Sequence, residues 1–198
     1  MPTASTRVCR ARILASHMNF CNQCGAKVEL RVPAGDHFAR HVCDACGTIH
    51  YQNPCLIAGC VPEHDGRILL CRRAIQPRRG YWTIPAGFME NGETLQQAAA
   101  RESQEEALAD VEIGSLLSIV HVLHARQVHV FFRATLHTPS FGPGPESLEV
   151  KLVSPEDIPW PDLAFPSTDF TLRRYLDDRK VGREQHYFTE INRRLPGE

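Results

Sequence analysis

Glu102, Glu105 and Glu106 stand at i, i+3 and i+4, a spacing that puts all three carboxylates on one face of a helix. Packed together they repel, by roughly 0.2–0.5 kcal/mol per pair on an exposed helix, and a divalent cation removes that penalty. Hard cations such as Mg2+ take carboxylate oxygens and bind through a few carboxylates plus substrate phosphates. The chemistry within reach is therefore Mg2+- or Mn2+-assisted attack on a phosphate ester or anhydride. A bare Glu-x-x-Glu-Glu also describes a solvated helix face, so the surrounding residues decide between the two.

Residues 87–109 read GFMENGETLQQAAARESQEEALA. Gly87, Glu93, Arg101, Glu102, Glu105 and Glu106 fall in the register of the Nudix box, G-x5-E-x7-R-E-U-x-E-E-x-G-U with U aliphatic, and the stretch resembles that box. Two positions depart from it. Ser103 stands where an aliphatic residue is usual, and Leu108 replaces the glycine. Leu108 is expected to impose a different helix end, because glycine normally takes the left-handed conformation there.

The resemblance implies an α/β fold, the Nudix α/β/α sandwich, and hydrolysis of a nucleoside diphosphate linked to another moiety. It implies Glu102 and Glu106 as the main Mg2+ or Mn2+ ligands, Glu105 assisting, and the backbone carbonyl of Ala86 or Gly87 completing the set. Glu93 is expected to pair with Arg101, holding the loop against the helix and aiming Glu102. In several family members a glutamate on a late loop activates the water. Glu146 and Glu149 are the candidates in this chain, and Glu146 is preferred because it lies on the loop just before a strand.

Substrate contacts are sketched more coarsely. Trp82 and Tyr81 lie beside the box and can stack on a base or pack in the core. Arg72, Arg73, Arg78 and Arg79 are close enough in sequence to hold phosphates, with Trp82, Arg72 and Arg78 the leading candidates. Strand alternation allows at most one of Arg72 and Arg73 to point inward. His121, His124 and His129 read as strand-surface histidines.

Within the family, YQNP at 51–54, LLCRRAIQPRRGYWTIPAGFMENGET and FGPGPESLEVKLVSPEDIPWPDLAFPS are similar to zinc-ribbon Nudix hydrolases. That group includes plant plastid FAD pyrophosphatases and bacterial relatives assigned to ADP-ribose. It implies FAD and ADP-ribose as joint substrates, with AMP released. NADH pyrophosphatase activity or NAD-cap removal is the alternative. It is weakened because no SQPWxxPxS-type run follows the box. The proline that many ADP-ribose enzymes carry beyond the box is also missing. A non-catalytic nucleotide sensor is a further reading, disfavoured because every acidic box position is present.

Cys21, Cys24, Cys43 and Cys46 form CNQC and CDAC separated by 18 residues, a spacing typical of zinc sites. Residues 19–50 are therefore expected as a small zinc ribbon of two hairpins, relying on Zn2+ to fold. Its Lys27, Arg31 and Arg40 are balanced by Glu29, Asp36 and Asp44, which argues against a nucleic-acid grip and for a structural or dimerising role. Cys55, Cys60 and Cys71 read as core filler, and unpaired cysteines beside a metal site suggest a reducing compartment. With 42% hydrophobic residues and a net charge of −1, neither a polyanion nor a membrane is implied as partner. A soluble, cytoplasmic protein acting on a small nucleotide is expected, with a homodimer as its candidate assembly.

Residues 1–17 hold three arginines and no acid, a transit-peptide-like composition. Met18 offers an equally good start, and a disordered extension is expected over 1–18. The main domain is expected over 53–182 and a polar, weakly specified tail over 183–198. Expected strands cover 56–61, 67–73, 81–85, 111–121, 127–136 and 148–153. The box helix should start at Thr94, which with Gln97 forms a capping box. Ser154 should cap a helical turn, and 167–178 should form an amphipathic helix.

Overall fold

The computed structural model describes residues 18–192, so the expectations for residues 1–17 lie outside the described part. The chain divides into two compact units between Asn53 and Pro54.

The first unit rests on two equivalent turns. In each Cys-x-x-Cys-Gly run the glycine amide returns to the first cysteine's carbonyl: Gly25 to Cys21 at 2.9 Å and Gly47 to Cys43 at 2.8 Å. Both glycines have positive φ, 74° and 75°, where a side chain is strained. Strands β1 (Glu29–Arg31), β2 (Arg40–Val42) and β3 (Ile49–His50) form an antiparallel sheet in that order. Besides Pro33, Val42 is the one buried aliphatic side chain among the unit's described residues. So small a core leaves the thiols to hold the unit together.

The second unit is a mixed sheet between two helices. Its elements are β4 (Cys55–His64), β5 (Arg67–Arg73), β6 (Trp82–Thr83), β7 (Ala86–Phe88), α1 (Leu95–Ala107), β8 (Glu112–Val122), β9 (Gln127–Thr135), β10 (Ser147–Val153), α2 (Pro166–Val181) and β11 (Tyr187–Ile191). The strand order is β10-β5-β4-β9-β8-β11, with β6 on β5 and β7 on β4. Strand β9 runs parallel to β4, and β11 parallel to β8. Alternation sorts the faces. Val130, Phe132 and Ala134 pack with Ala98 and Ala99 of α1, whereas Phe131 packs with Leu172 and Tyr175 of α2. Fully buried alanines on α1 let it lie close to Ala58 and Cys60 of β4.

The capping box is present as expected: Gln97 N–H donates to the Thr94 hydroxyl, and Thr94 N–H to the Gln97 side chain. The turn at Pro155–Asp157 also forms, but Ser154 contributes its carbonyl rather than its side chain. Three expectations are corrected. Within the expected polar tail, β11 (Tyr187–Ile191) joins the sheet edge, while residues 193–198 lie outside the described part. It is tied there by Tyr187, which donates to Asp178, and by buried Arg133, which holds both Asp178 and the Gln185 carbonyl. His129 is buried rather than on the surface, between the Ser167 hydroxyl and Gln127. Cys55 is exposed, unlike Cys60 and Cys71.

Candidate active site

The loop from Ala86 to Glu93 and the helix α1 face each other across a single guanidinium. Arg101 donates to both Glu93 oxygens at 2.8 and 3.1 Å, to the Phe88 carbonyl at 3.0 Å, to Glu102 at 2.7 Å and to Glu105 at 3.1 Å. The bidentate pair fixes the loop, and it holds the Glu93 carboxyl below its ordinary range. The remaining donors reach two of the three helix carboxylates.

Glu102 and Glu106 are buried and Glu105 is exposed. Glu106 accepts the Ala86 N–H at 3.2 Å. A Cβ built on Gly87 would overlap the Glu102 carboxylate, so any side chain there would push that carboxylate out of its place. Burial pushes the Glu106 carboxyl up to about 8, with repulsion from Glu102 and Glu146 adding to it and Arg73 opposing it. Burial also raises Glu102. Two buried carboxylates that resist losing their protons suit a cation that replaces them. The donors are hard oxygens, as Mg2+ or Mn2+ needs.

The late-loop acids separate cleanly. Glu149 pairs across the strands with Arg72 and lies near it and Lys151. Glu146 is exposed, and its charge raises the Glu102 and Glu106 carboxyls further. The arginines separate in the same way. Leu69 and Cys71 pack with Ala107 at the end of α1, so alternation along β5 places Arg73 on that face and Arg72 on the other. Arg72 donates to the Gly80 carbonyl. Arg73 stacks on Phe165 at 4.9 Å and donates to Pro77 O. Arg78 stacks on Tyr81 at 3.8 Å and donates to Ala164 O. Trp82 packs against the α2-side core.

In the ribbon, Cys21 and Cys46 sulfurs are 3.6 Å apart, Cys24 and Cys43 3.5 Å. All four ligand atoms lie within 4.8 Å of one another. These separations are far beyond the ~2.05 Å of a disulfide and match the edges of a tetrahedron with Zn–S of about 2.3 Å. A separate cavity of about 740 Å³ between Glu63, Arg133, Tyr175 and Asp178 contains no box residue.

The NUDIX domain model matches residues 55–175, and the Nudix N-terminal zinc-ribbon model matches residues 19–52. The chain belongs to the NUDIX family. It is 51% identical to a NUDIX hydrolase of Nitrosomonas europaea of known crystal structure, covering 89% of this chain and 100% of that one with a TM-score of 0.86. It is 37% identical over 100 residues to the NAD-capped RNA hydrolase NudC of Vibrio atlanticus (strain LGP32), covering 50% of this chain and 35% of that one. It is 36% identical over 69 residues to an ADP-ribose pyrophosphatase of Methanocaldococcus jannaschii, covering 35% of this chain and 41% of that one. The chain thus spans only about a third to two-fifths of the length of these curated relatives.

Both departures from the Nudix box have local explanations. Ser103 is buried, donates to the Ala99 carbonyl at 2.9 Å and meets the Cys60 thiol at 3.1 Å, so its hydroxyl is satisfied where an aliphatic group would pack. Leu108 does not change the Nudix helix end, contrary to expectation. It adopts the left-handed conformation itself, φ 50° and ψ 31°, and its N–H closes on Gln104 O. Arg73, rather than the expected Arg72, is the β5 arginine whose charge acts on Glu106. No signal in the sequence separates it from Arg72, because β5 is apolar on both faces.

Proposed function

We propose that this chain hydrolyses the diphosphate bond of an adenosine diphosphate linked to another group, with Mg2+ or Mn2+, releasing AMP. The observation that carries it is the pair of buried carboxylates, Glu102 and Glu106, pressed against the Ala86–Gly87 backbone and aligned by Arg101. Glu102, Glu106 and Glu105 would hold the cation, with a backbone carbonyl at Ala86 or Gly87. When bound, the cation lowers the pKa of the attacking water and offsets charge on the phosphoryl oxygens. Arg101 keeps the loop and helix in register so that the carboxylates stay aimed. Glu106 must shed its proton before it can act. Glu146, whose charge bears on the same carboxylates, accepts the proton of the attacking water. The four ribbon cysteines hold Zn2+ in a structural role.

ADP-ribose is supported by the Methanocaldococcus relative's name, and FAD by the resemblance to the plastid group alone. The second reading, NADH or an NAD-capped RNA end, is supported by the NudC relatives. All four share the adenosine diphosphate half. A panel of ADP-ribose, FAD, NADH and NAD-capped RNA with either metal, followed by AMP release, decides among them by kcat/KM. Absence of AMP from all four, with metal bound, would overturn the hydrolytic reading in favour of a nucleotide sensor.

A further inference from the structure

The segment FGPGPE, residues 141–146, lies against the last turn of α1. Gly142 N–H donates to the Ala107 carbonyl at 2.8 Å, and Gly144 N–H to the Glu106 carbonyl at 3.1 Å. These carbonyls belong to the end of the helix, where backbone acceptors lack partners within the helix. Glu106 is thus held at both ends: its side chain accepts from Ala86, and its carbonyl accepts from Gly144. The contact at Gly144 is closer than any other residue type allows. A Cβ there would overlap the Glu105 carbonyl oxygen, whereas one on Gly142 would meet only the Leu108 side chain at an ordinary 3.7 Å. Neither glycine has a positive φ, so space, not backbone conformation, requires glycine at 144. Two residues on, Glu146 is fixed from the far side, its carbonyl accepting the Ala74 N–H at 2.7 Å.

We infer that residues 142–146 act as a clamp that reads the end of the box helix and sets Glu146 in register with Glu106, with Gly144 as the positioning residue. This rests on the reading above that Glu146 accepts the proton. The clamp makes the distance between carboxylate ligand and base a property of two backbone hydrogen bonds and one missing side chain. Gly144→Ala pushes the segment off the helix by roughly the size of a methyl group. A displacement of about 1 Å at a reacting group costs on the order of 10²-fold in rate.

The test is a double-mutant cycle of Gly144→Ala and Glu146→Gln on the full chain, with the best substrate of the panel. The inference expects each single variant to lose kcat, Gly144→Ala by about 10²-fold, with KM changed little. The double variant should be no slower than Glu146→Gln, because residues acting as one unit are not additive. Wild-type kcat in Gly144→Ala beside an inactive Glu146→Gln overturns the clamp and leaves the base assignment standing. Losses that multiply also overturn the clamp, since glycine would then act through something other than Glu146. Full activity in Glu146→Gln removes the base assignment itself. Should Gly144→Ala not fold, amide hydrogen exchange on the wild-type protein answers the same question. Gly142 and Gly144 amides should exchange as slowly as those in the last turn of α1, and free-loop rates at Gly144 would sink the inference.

Discussion

The chain carries two clusters suited to cations, and they are built in opposite ways. The four ribbon sulfurs gather within 4.8 Å of one another, on two turns that each span five residues and close on their own backbone. The box carboxylates are kept apart by protein groups: Arg101 engages Glu102 and Glu105, and the Ala86 amide engages Glu106. A closed set of thiolates satisfies a structural Zn2+ completely, and the ion's binding energy becomes folding energy. An open set of carboxylates leaves room for substrate phosphates and so must be held in place by something other than the ion. On the proposed reading, the first cluster would need its metal to hold the unit folded, and the second would be built first and then recruit its metal.

The largest effects should show this division directly. Removing zinc with a chelator should abolish amide protection across residues 19–52, since a structural Zn2+ contributes about 10–16 kcal/mol in small modules. Protection in α1 should persist. Glu106→Gln should do the reverse, with zinc content and melting preserved and turnover lost. A catalytic cation supplies several kcal/mol, and about 4 kcal/mol corresponds to about 10³-fold. Wild-type-like turnover in Glu106→Gln, or melting of α1 on zinc removal, would break the comparison.

How much of this was legible in the sequence follows from the same contrast. The ribbon turns and the loop–helix box are local, so spacing alone exposes them. Thr94 and Gln97 cap the helix as their types demand, and Glu93 meets Arg101 as the box resemblance implies. Arg73 was not separable from Arg72, because β5 is apolar on both faces. Ile68 and Leu70 pack towards α2, Leu69 and Cys71 towards α1, so only the assembled sheet shows which face carries the carboxylates. Strand β11 was missed for a similar reason. YFTEI is half exposed along its length, and what docks it is the Arg133–Asp178 pair, 45 positions apart in sequence. His129 is buried because α2 packs against the sheet partly through hydroxyls. Ser167, Thr168 and Thr171 reach His129, Thr83 and Ser118 respectively, a polar seam that hydrophobic patterning cannot reveal.

The carboxylate cluster should also betray itself through pH. The unfolded chain loses the Glu106 proton near 4.5, whereas the folded, metal-free protein keeps it up to about 8. Between those values the folded state binds more protons, so this group's contribution to stability is full at low pH and is lost as pH rises through 8. A divalent cation competes with that proton. Its affinity should therefore climb as pH rises to about 8 and level off above, and the climb should shrink in Glu106→Gln, where only Glu102 is still raised by burial. Calorimetric titration with Mn2+ at several pH values reads this directly. Flat affinity across the range would mean that Glu106 is already ionised and that burial counts for less than the geometry suggests.

The smallest expected effect concerns the helix end that joins the box to the late loop. Leu108 occupies a left-handed conformation that costs a residue with a Cβ about 1–2 kcal/mol, and its side chain is half exposed. Little burial is lost when it is removed. Leu108→Gly should therefore stabilise the protein by about 1 kcal/mol, or a rise of about 2–4 °C in melting temperature for a domain of this size. Turnover should stay within a few-fold, because the N–H that closes the helix on Gln104 is retained. A fall in melting temperature would mean that the Leu108 side chain, which lies near Gly142, holds the late loop more strongly than the strained conformation opposes it. The carboxylate cluster would then depend on a side chain outside the box register, and its separation from the rest of the fold would be narrower than Arg101 and Ala86 alone suggest.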